Sequence, residues 1–320
     1  MAKLLFIYDI HYAPPKMRRS DSDPEGTGSG TESLSQLKLL MDAVSCRYGR
    51  PDFICFGGDI GDHQLRENNR TPNEGIYEIN YLNYWEAVRQ VFDAVEDKGF
   101  RWIATKGNHE TFVSNGWYAK AVQDQTHETV RSVVSRFVRT GEAVCTETYA
   151  LYCFGAGPQV MSPFDGGCLF RKEDIEALEE YLKNTPEDRP VFVMSHYPLH
   201  GSGVRENPDT DGELRRMLNR HPNVFFLWGH NHASGIRKSD EHYDAVYREE
   251  LDGERIQFTY LSGGCMTPDY CGDVKGCALL ASVNDKEGSV QLDYLDRKGQ
   301  PVYTALVKGF CNNNCRGVLK

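Results

Sequence analysis

Seven side chains in this sequence have the types and spacing to hold metal cations. They are Asp9 and His11 in Tyr8-Asp9-Ile10-His11, Asp59 in Gly57-Gly58-Asp59, Asn108 in Gly107-Asn108-His109-Glu110, His196 in Ser195-His196, and His230 and His232 in Gly229-His230-Asn231-His232. The set joins imidazole nitrogens to carboxylate and carboxamide oxygens and contains no thiolate. Such donors suit Mn, Fe, Zn, Co or Ni better than they suit an all-oxygen Mg or Ca cage. Seven groups are too many for one ion and fit two, provided that Asp59 bridges. A lone Asp-x-His or His-x-His pair is usually structural. Here half of the ten histidines fall in five such motifs, which is the pattern of a shared site rather than of scattered packing residues.

The spacing carries its own geometric expectation. Residues i and i+2 of an extended segment point to one side. Asp9 and His11 are therefore expected to reach one ion together from extended chain, and His230 and His232 to do the same for one or two ions. The glycines at 57, 58, 107 and 229 are expected to allow the sharp turns that leave such ligands exposed.

Each motif stands at the end of an apolar run. Residues 4–8, 53–56, 101–105, 191–194 and 224–228 are short, β-rich and bounded by turn residues, which predicts buried strands. Between them lie helical periodicities over 33–48, 81–98, 173–184 and 211–220. Strands alternating with helices predict a mainly parallel sheet. In open α/β sheets ligands bind beyond the carboxyl ends of the strands, so five ends on one sheet would gather the seven groups. From about residue 243 the pattern changes. Runs at 256–261, 278–283, 290–295 and 302–307 alternate and are separated by Asp252-Gly253, Glu287-Gly288 and Lys298-Gly299, which predicts antiparallel strands. The expectation is an α/β first part and a β-rich last part, in two sheets packed face to face. Residues 13–31 and 63–75 read as loops that follow ligand motifs and so could form walls of the site.

The ordered set Asp-x-His, Gly-Asp, Gly-Asn-His-Glu, His, Gly-His-x-His resembles the calcineurin-like metallophosphoesterase superfamily, from Asp9 to His232. The resemblance implies a single domain over 1–320, with an α/β four-layer αββα sandwich and two mixed β-sheets. It also implies that Asp9, His11 and His232 hold one ion, that Asn108, His196 and His230 hold the other, and that Asp59 bridges them. His109 would bind no metal; it would stabilise the transferred phosphoryl group or protonate the leaving oxygen, with Glu110 orienting it. The implied activity is hydrolysis of a phosphate ester, with a hydroxide shared by two divalent metals, Mn first among them, attacking phosphorus in line. A phosphodiesterase acting on cyclic nucleotides or nucleic acid is the alternative, and a metal-poor scaffold is the reading from another class. Purple acid phosphatases carry a tyrosinate three residues after the bridging Asp, where this sequence has Asp62. Serine/threonine protein phosphatases continue that run with Asp-Arg-Gly, where this sequence has Asp62-His63-Gln64. Neither subgroup is therefore expected.

Composition bounds the rest. The net charge of −10 gives no general attraction for nucleic acid, so a small phosphorylated substrate is favoured over a long polyanion. No stretch reaches the roughly 18 apolar residues that a membrane-spanning helix needs. No leader is visible before the first strand, and the expected location is cytoplasmic. The ten cysteines are accordingly read as mostly reduced and buried, with a zinc knuckle at Cys311-x3-Cys315 or a disulfide as the alternatives. His200 is a candidate to lie near the second metal behind its ligands, His63 is a candidate to line the pocket, and His127, His221 and His242 are read as surface or packing groups.

Overall fold

The structure is a computed structural model that describes residues 1–14, 30–62, 74–111, 121–124, 126–137, 142–155, 170–200, 212–232, 248–251, 253–267 and 277–309. Most of the two loops at 13–31 and 63–75, together with His63, His242, Cys271, Cys311 and Cys315, lie outside these residues.

Two six-stranded sheets form the centre. The first contains β1 (Ala2–Ile7), β2 (Phe53–Phe56), β3 (Trp102–Ala104), β10 (Ala278–Asn284), β11 (Ser289–Leu295) and β12 (Pro301–Lys308), in the order β12-β11-β10-β1-β2-β3. The second contains β4 (Ala143–Cys145), β5 (Ala150–Cys153), β6 (Val191–Met194), β7 (Val224–Trp228), β8 (Arg248–Leu251) and β9 (Glu254–Ser262), in the order β4-β5-β6-β7-β9-β8. Both sheets are mixed. β1, β2 and β3 run parallel while β10, β11 and β12 are antiparallel. β5, β6, β7 and β9 run parallel while β4 and β8 are antiparallel edges.

This corrects two expectations. The strands of the β-rich end do not all pair antiparallel: β9 extends the second sheet in parallel with β7, whereas β10 to β12 extend the first beside β1 in antiparallel. The five ligand-bearing strands also divide, with β1, β2 and β3 in one sheet and β6 and β7 in the other.

The period-two alternation of the strands explains the layers. On β1, Leu5 and Ile7 face outward with Ile54 and Phe56 of β2. They meet Leu37, Leu40, Met41 and Val44 of α1 (Gly30–Tyr48) and Trp85, Val88 and Phe92 of α2 (Glu74–Glu96). Those helix residues recur every three or four positions, so each helix presents a continuous apolar stripe. Leu4 and Phe6 point the other way, with Phe192, Met194, Phe225 and Leu227 of the second sheet. The rings of Phe6 and Phe192 lie 5.6 Å apart across this inner layer. On the far side Val191, Val193, Phe226 and Trp228 cover Ile175, Leu178 and Leu182, and also Leu214, Met217 and Leu218. A short α3 (Asn108–Thr111) and α4 (Glu128–Arg136) precede these two helices, α5 (Lys172–Lys183) and α6 (Glu213–Leu218). The result is helix, sheet, sheet, helix.

No helix among the described residues is long and apolar enough to cross a membrane. Of the six described cysteines, Cys46, Cys55, Cys145 and Cys153 are free, and Cys55, Cys153, Cys265 and Cys277 are buried.

Candidate metal centre

The parallel strands end at a common rim, and the motifs follow directly. β1 ends at Ile7 and Asp9 comes two residues later; β2 ends at Phe56, β3 at Ala104, β6 at Met194 and β7 at Trp228. Beyond β1 and β2 the two chains continue side by side. The N–H of His11 donates to the Asp59 carbonyl at 2.9 Å, that of Tyr12 to Ile60 at 2.9 Å, and that of Asp62 back to Tyr12 at 3.0 Å. The loop from β9 closes the same place. Thr267 reaches the carbonyls of Asp9 and Ile10 through its hydroxyl, 2.8 Å from each, and the Met266 N–H donates to Tyr8 at 3.1 Å.

Asp9, His11, Asp59, His230 and His232 have φ of 51°, 45°, 51°, 70° and 54°. They are the non-glycine residues with positive φ among the described residues. The extended i, i+2 geometry expected for Asp-x-His and His-x-His is therefore incorrect. Each ligand pair converges because its backbone turns into the left-handed region, which Asp, Asn and His enter more readily than other side chains. Gly58 has a φ of 95° and makes such a turn itself. Gly107 is needed for another reason: a Cβ there would stand 2.1 Å from Asp59 Oδ1.

Among the described residues the donor side chains gather in three groups: two share Asp59, and a third joins His11, Asp62 and His109. In the first, Asp9, His11, Asp59 and His232 offer donor atoms all within 4.8 Å of one another. His11 Nε2 lies 3.0 Å from His232 Nε2, 3.7 Å from Asp59 Oδ2 and 3.9 Å from Asp9 Oδ1. In the second, Asp59, His196 and His230 converge likewise. His196 Nε2 lies 3.3 Å from Asp59 Oδ2 and 3.0 Å from Asn108 Oδ1, and His230 Nδ1 lies 2.8 Å from the same Asn108 oxygen. The Nδ1–H of His196 donates to the Gly57 carbonyl at 3.0 Å, which leaves Nε2 as the inward lone pair.

Burial and charge make this a place for cations. Asp9, His11, Asp59 and His196 are buried, whereas Asn108, His230 and His232 are half-exposed and form the open side. Burial pushes the Asp9 carboxyl up to about 8; the Asp59 charge adds to this and His196 opposes it. Burial would also raise Asp59, but His109, then His196 and His11, outweigh it and hold that carboxyl well below its usual range. Burial opposes a charge on His196 too, yet Asp59 and then Asp9 lift it to about 9. Carboxylates and facing imidazole nitrogens this close together, shielded from water, are consistent with two divalent cations. Cys265 is near, but its thiol donates to the Asp9 carbonyl at 3.8 Å and adds no sulfur to the donor set.

His109 is buried beside these groups, its ring 4.4 Å from that of His11. Its N–H donates to Asp59 Oδ1 at 2.8 Å, and its Nδ1 lies 3.7 Å from Asp62 Oδ1. Asp62 is a residue that sequence reasoning used only to exclude two subgroups of the family. Its place three positions after Asp59, on a chain that runs beside His11 and Tyr12, was the available signal. Glu110 does not serve as the orienting group expected for His109. Its carboxylate accepts the N–H groups of Asp59 (2.8 Å), Ile60 (2.8 Å) and Gly107 (2.7 Å) and the hydroxyl of Tyr84 (2.6 Å). Those four bonds fill its acceptor positions. His200 is half-buried beyond β6, and His221 is half-buried at the end of α6, with burial depressing its pKa.

A four-layer αββα fold with two candidate cation sites sharing Asp59 on its joint rim places this chain among the metal-dependent phosphoesterase folds. The profile of the calcineurin-like phosphoesterases matches residues 2–234, and the chain belongs to that family. Among solved structures it is similar to a dimetal phosphatase from Danio rerio, with 13% identity over 96% of this chain and 98% of that one and a TM-score of 0.58. It is also similar to the purple acid phosphatase PPD1 from yellow lupin (Lupinus luteus) seeds. There the identity is 12% over 96% of this chain and 53% of that one, with a TM-score of 0.55. At such identities the likeness concerns the fold alone. No curated protein gives a significant match by sequence.

Proposed function

We propose that the chain, as a single catalytic domain over 1–320, hydrolyses a phosphate ester on a small substrate with two divalent transition metal ions. The observation that carries this reading is the convergence of two donor groups on one shared carboxylate, Asp59, in a chain of this family. Asp9, His11, Asp59 and His232 would hold one ion, and Asp59, Asn108, His196 and His230 the other. Mn is the first ion to test, because the donors are nitrogen and oxygen without thiolate. When bound, such ions lower the pKa of water toward about 7 and neutralise charge on phosphoryl oxygens, so neutral pH suffices and no covalent enzyme intermediate is needed.

The chain's own residues complete the chemistry. His109 lies next to the shared carboxylate, outside the two donor groups that contain Asp59 and in a third with His11 and Asp62, where its ring can meet the leaving oxygen. Asp62 faces its Nδ1, so it can hold the ring in one orientation and support a proton on it while Nε2 works. Cys46, Cys55, Cys145 and Cys153 are free cysteines, which supports a reducing, cytoplasmic setting.

The test is a phosphoester panel with added Mn²⁺, comparing p-nitrophenyl phosphate with its bis ester, on the wild type, Asp59→Ala and Asn108→Ala. Turnover on the monoester that both substitutions abolish, with reduced bound metal, supports the reading. Preference for the bis ester would mean a phosphodiesterase. Wild-type activity and two bound ions in Asp59→Ala would sink the assignment, and a wild type without metal or turnover would mean a scaffold.

A further inference from the structure

The bonds around Glu110 lead outward to a residue on α2 that no motif marks. Tyr84 is fully buried and its hydroxyl donates to Glu110 Oε1 at 2.6 Å. The Gly61 N–H donates in turn to the Tyr84 oxygen. Gly61 has no room for a side chain on this side, since a Cβ would stand 2.7 Å from Tyr84 Cε2. Burial, then the Glu110 charge, pushes the phenol well above its usual range, so it remains a donor at any working pH.

These contacts join three pieces of chain that the metal centre needs in register. Glu110 Oε2 takes the N–H groups of Asp59 and Gly107, and so ties the loop after β2 to the loop after β3. Glu110 Oε1 takes Ile60 and Tyr84, and Tyr84 takes Gly61. The segment 59–61 carries the shared carboxylate, and Gly107 precedes Asn108. The Tyr84 ring packs edge-on against Trp85, with centroids 5.2 Å apart, and Trp85 belongs to the core between α2 and the first sheet. The phenol is thus held by the helix and not by the loops it restrains.

We propose that Tyr84 is a positioning residue for the metal centre, acting through Glu110 and Gly61 to fix the spacing between the Asp59 and Asn108 loops. The assignment rests on the two-metal reading given above. Partners of this kind behind metal ligands are typically worth about 10- to 100-fold in metal affinity.

The experiment is Mn²⁺ titration of the full chain by calorimetry, for wild type, Tyr84→Phe, Glu110→Gln and the double variant. Tyr81→Phe is the control: it lies one turn earlier on α2 and gives up a phenol bond to Asp124 instead. Y84F is expected to weaken Mn²⁺ binding by about 10-fold or more, with kcat recovered at saturating Mn²⁺, while Y81F stays within about twofold of wild type. Because Tyr84 acts through Glu110, adding Y84F to E110Q should cost less than about twofold further. Wild-type Mn²⁺ constants in Y84F, an equal loss in Y81F, or effects that simply add in the double variant would each overturn the assignment. If Y84F does not fold, E110Q alone decides, and unchanged Mn²⁺ affinity there overturns it too. A wild type that binds no Mn²⁺ refutes the two-metal reading itself, whereas a wild type with two ions and an identical Y84F refutes only the role of Tyr84.

Discussion

Asp59 and His109 are neighbours whose losses should look different. The Asp59 carboxylate lies in both donor groups, while the His109 ring lies in neither of the two that contain Asp59. His109→Ala is therefore expected to keep its bound metal and lose about 10² to 10⁴ in rate, most of all with a poor leaving group. Metal analysis beside steady-state kinetics on an alkyl phosphate checks this; unchanged rates would remove His109 from the mechanism. Gly107→Ala should behave in the opposite way. The added Cβ would sit 2.1 Å from Asp59 Oδ1, so the shared carboxylate must move and bound metal should be lost. Elemental analysis after desalting measures that loss, and full occupancy would contradict the packing described for Gly107.

Elements set where these residues stand, and here the legibility of the sequence is uneven. β2, β6 and β7 match the apolar runs residue for residue, because a fully buried strand must be apolar on both faces. β4 and β5 went unread: β4 is three residues of an edge, and β5, Ala150-Leu151-Tyr152-Cys153, has no β-branched residue to mark it. The N-terminal part of α2, residues 74–80, precedes the periodicity read from Tyr81, and Gly75 in its first turn weakens the helix signal. The loop after β9 shows a different limit. Its role depends on the Thr267 hydroxyl lying 2.8 Å from two carbonyls more than 250 residues earlier, and no local pattern encodes a contact at that range. Thr267→Val keeps the shape and removes the hydroxyl. It is expected to destabilise the fold by about 1–3 kcal/mol, since buried carbonyl oxygens lose a donor. Urea unfolding reads the difference, and a change under about 0.5 kcal/mol would mean that the hydroxyl is dispensable.

At the scale of the molecule the two sheets answer to different neighbours. The motifs were legible as a set because every ligand had to follow a strand end, but their division between two sheets was not. Strand partners are chosen by packing across the inner layer, where Phe6 meets Phe192, and not by any property of β1 or β6 alone. Because both sheets contribute to each donor group, cations would cross-link them. Stability should then rise with Mn²⁺ by about 2.7 kcal/mol per site when the ion stands at 100 times its dissociation constant. Thermal unfolding with Mn²⁺ and with EDTA should differ by several degrees, and coincident curves would show that the sheets do not depend on the ions.

The left-handed torsions at Asp9, His11, Asp59, His230 and His232 limit where such a centre could be transplanted. Copying the seven side chains onto the strands or helices of another protein would aim five of them in other directions, because in this chain the bend at each of those five residues, as much as its functional group, does the aiming. A designer would have to graft the kinked peptide segments whole, and could vary those five positions only among the few amino acids that accept the bend.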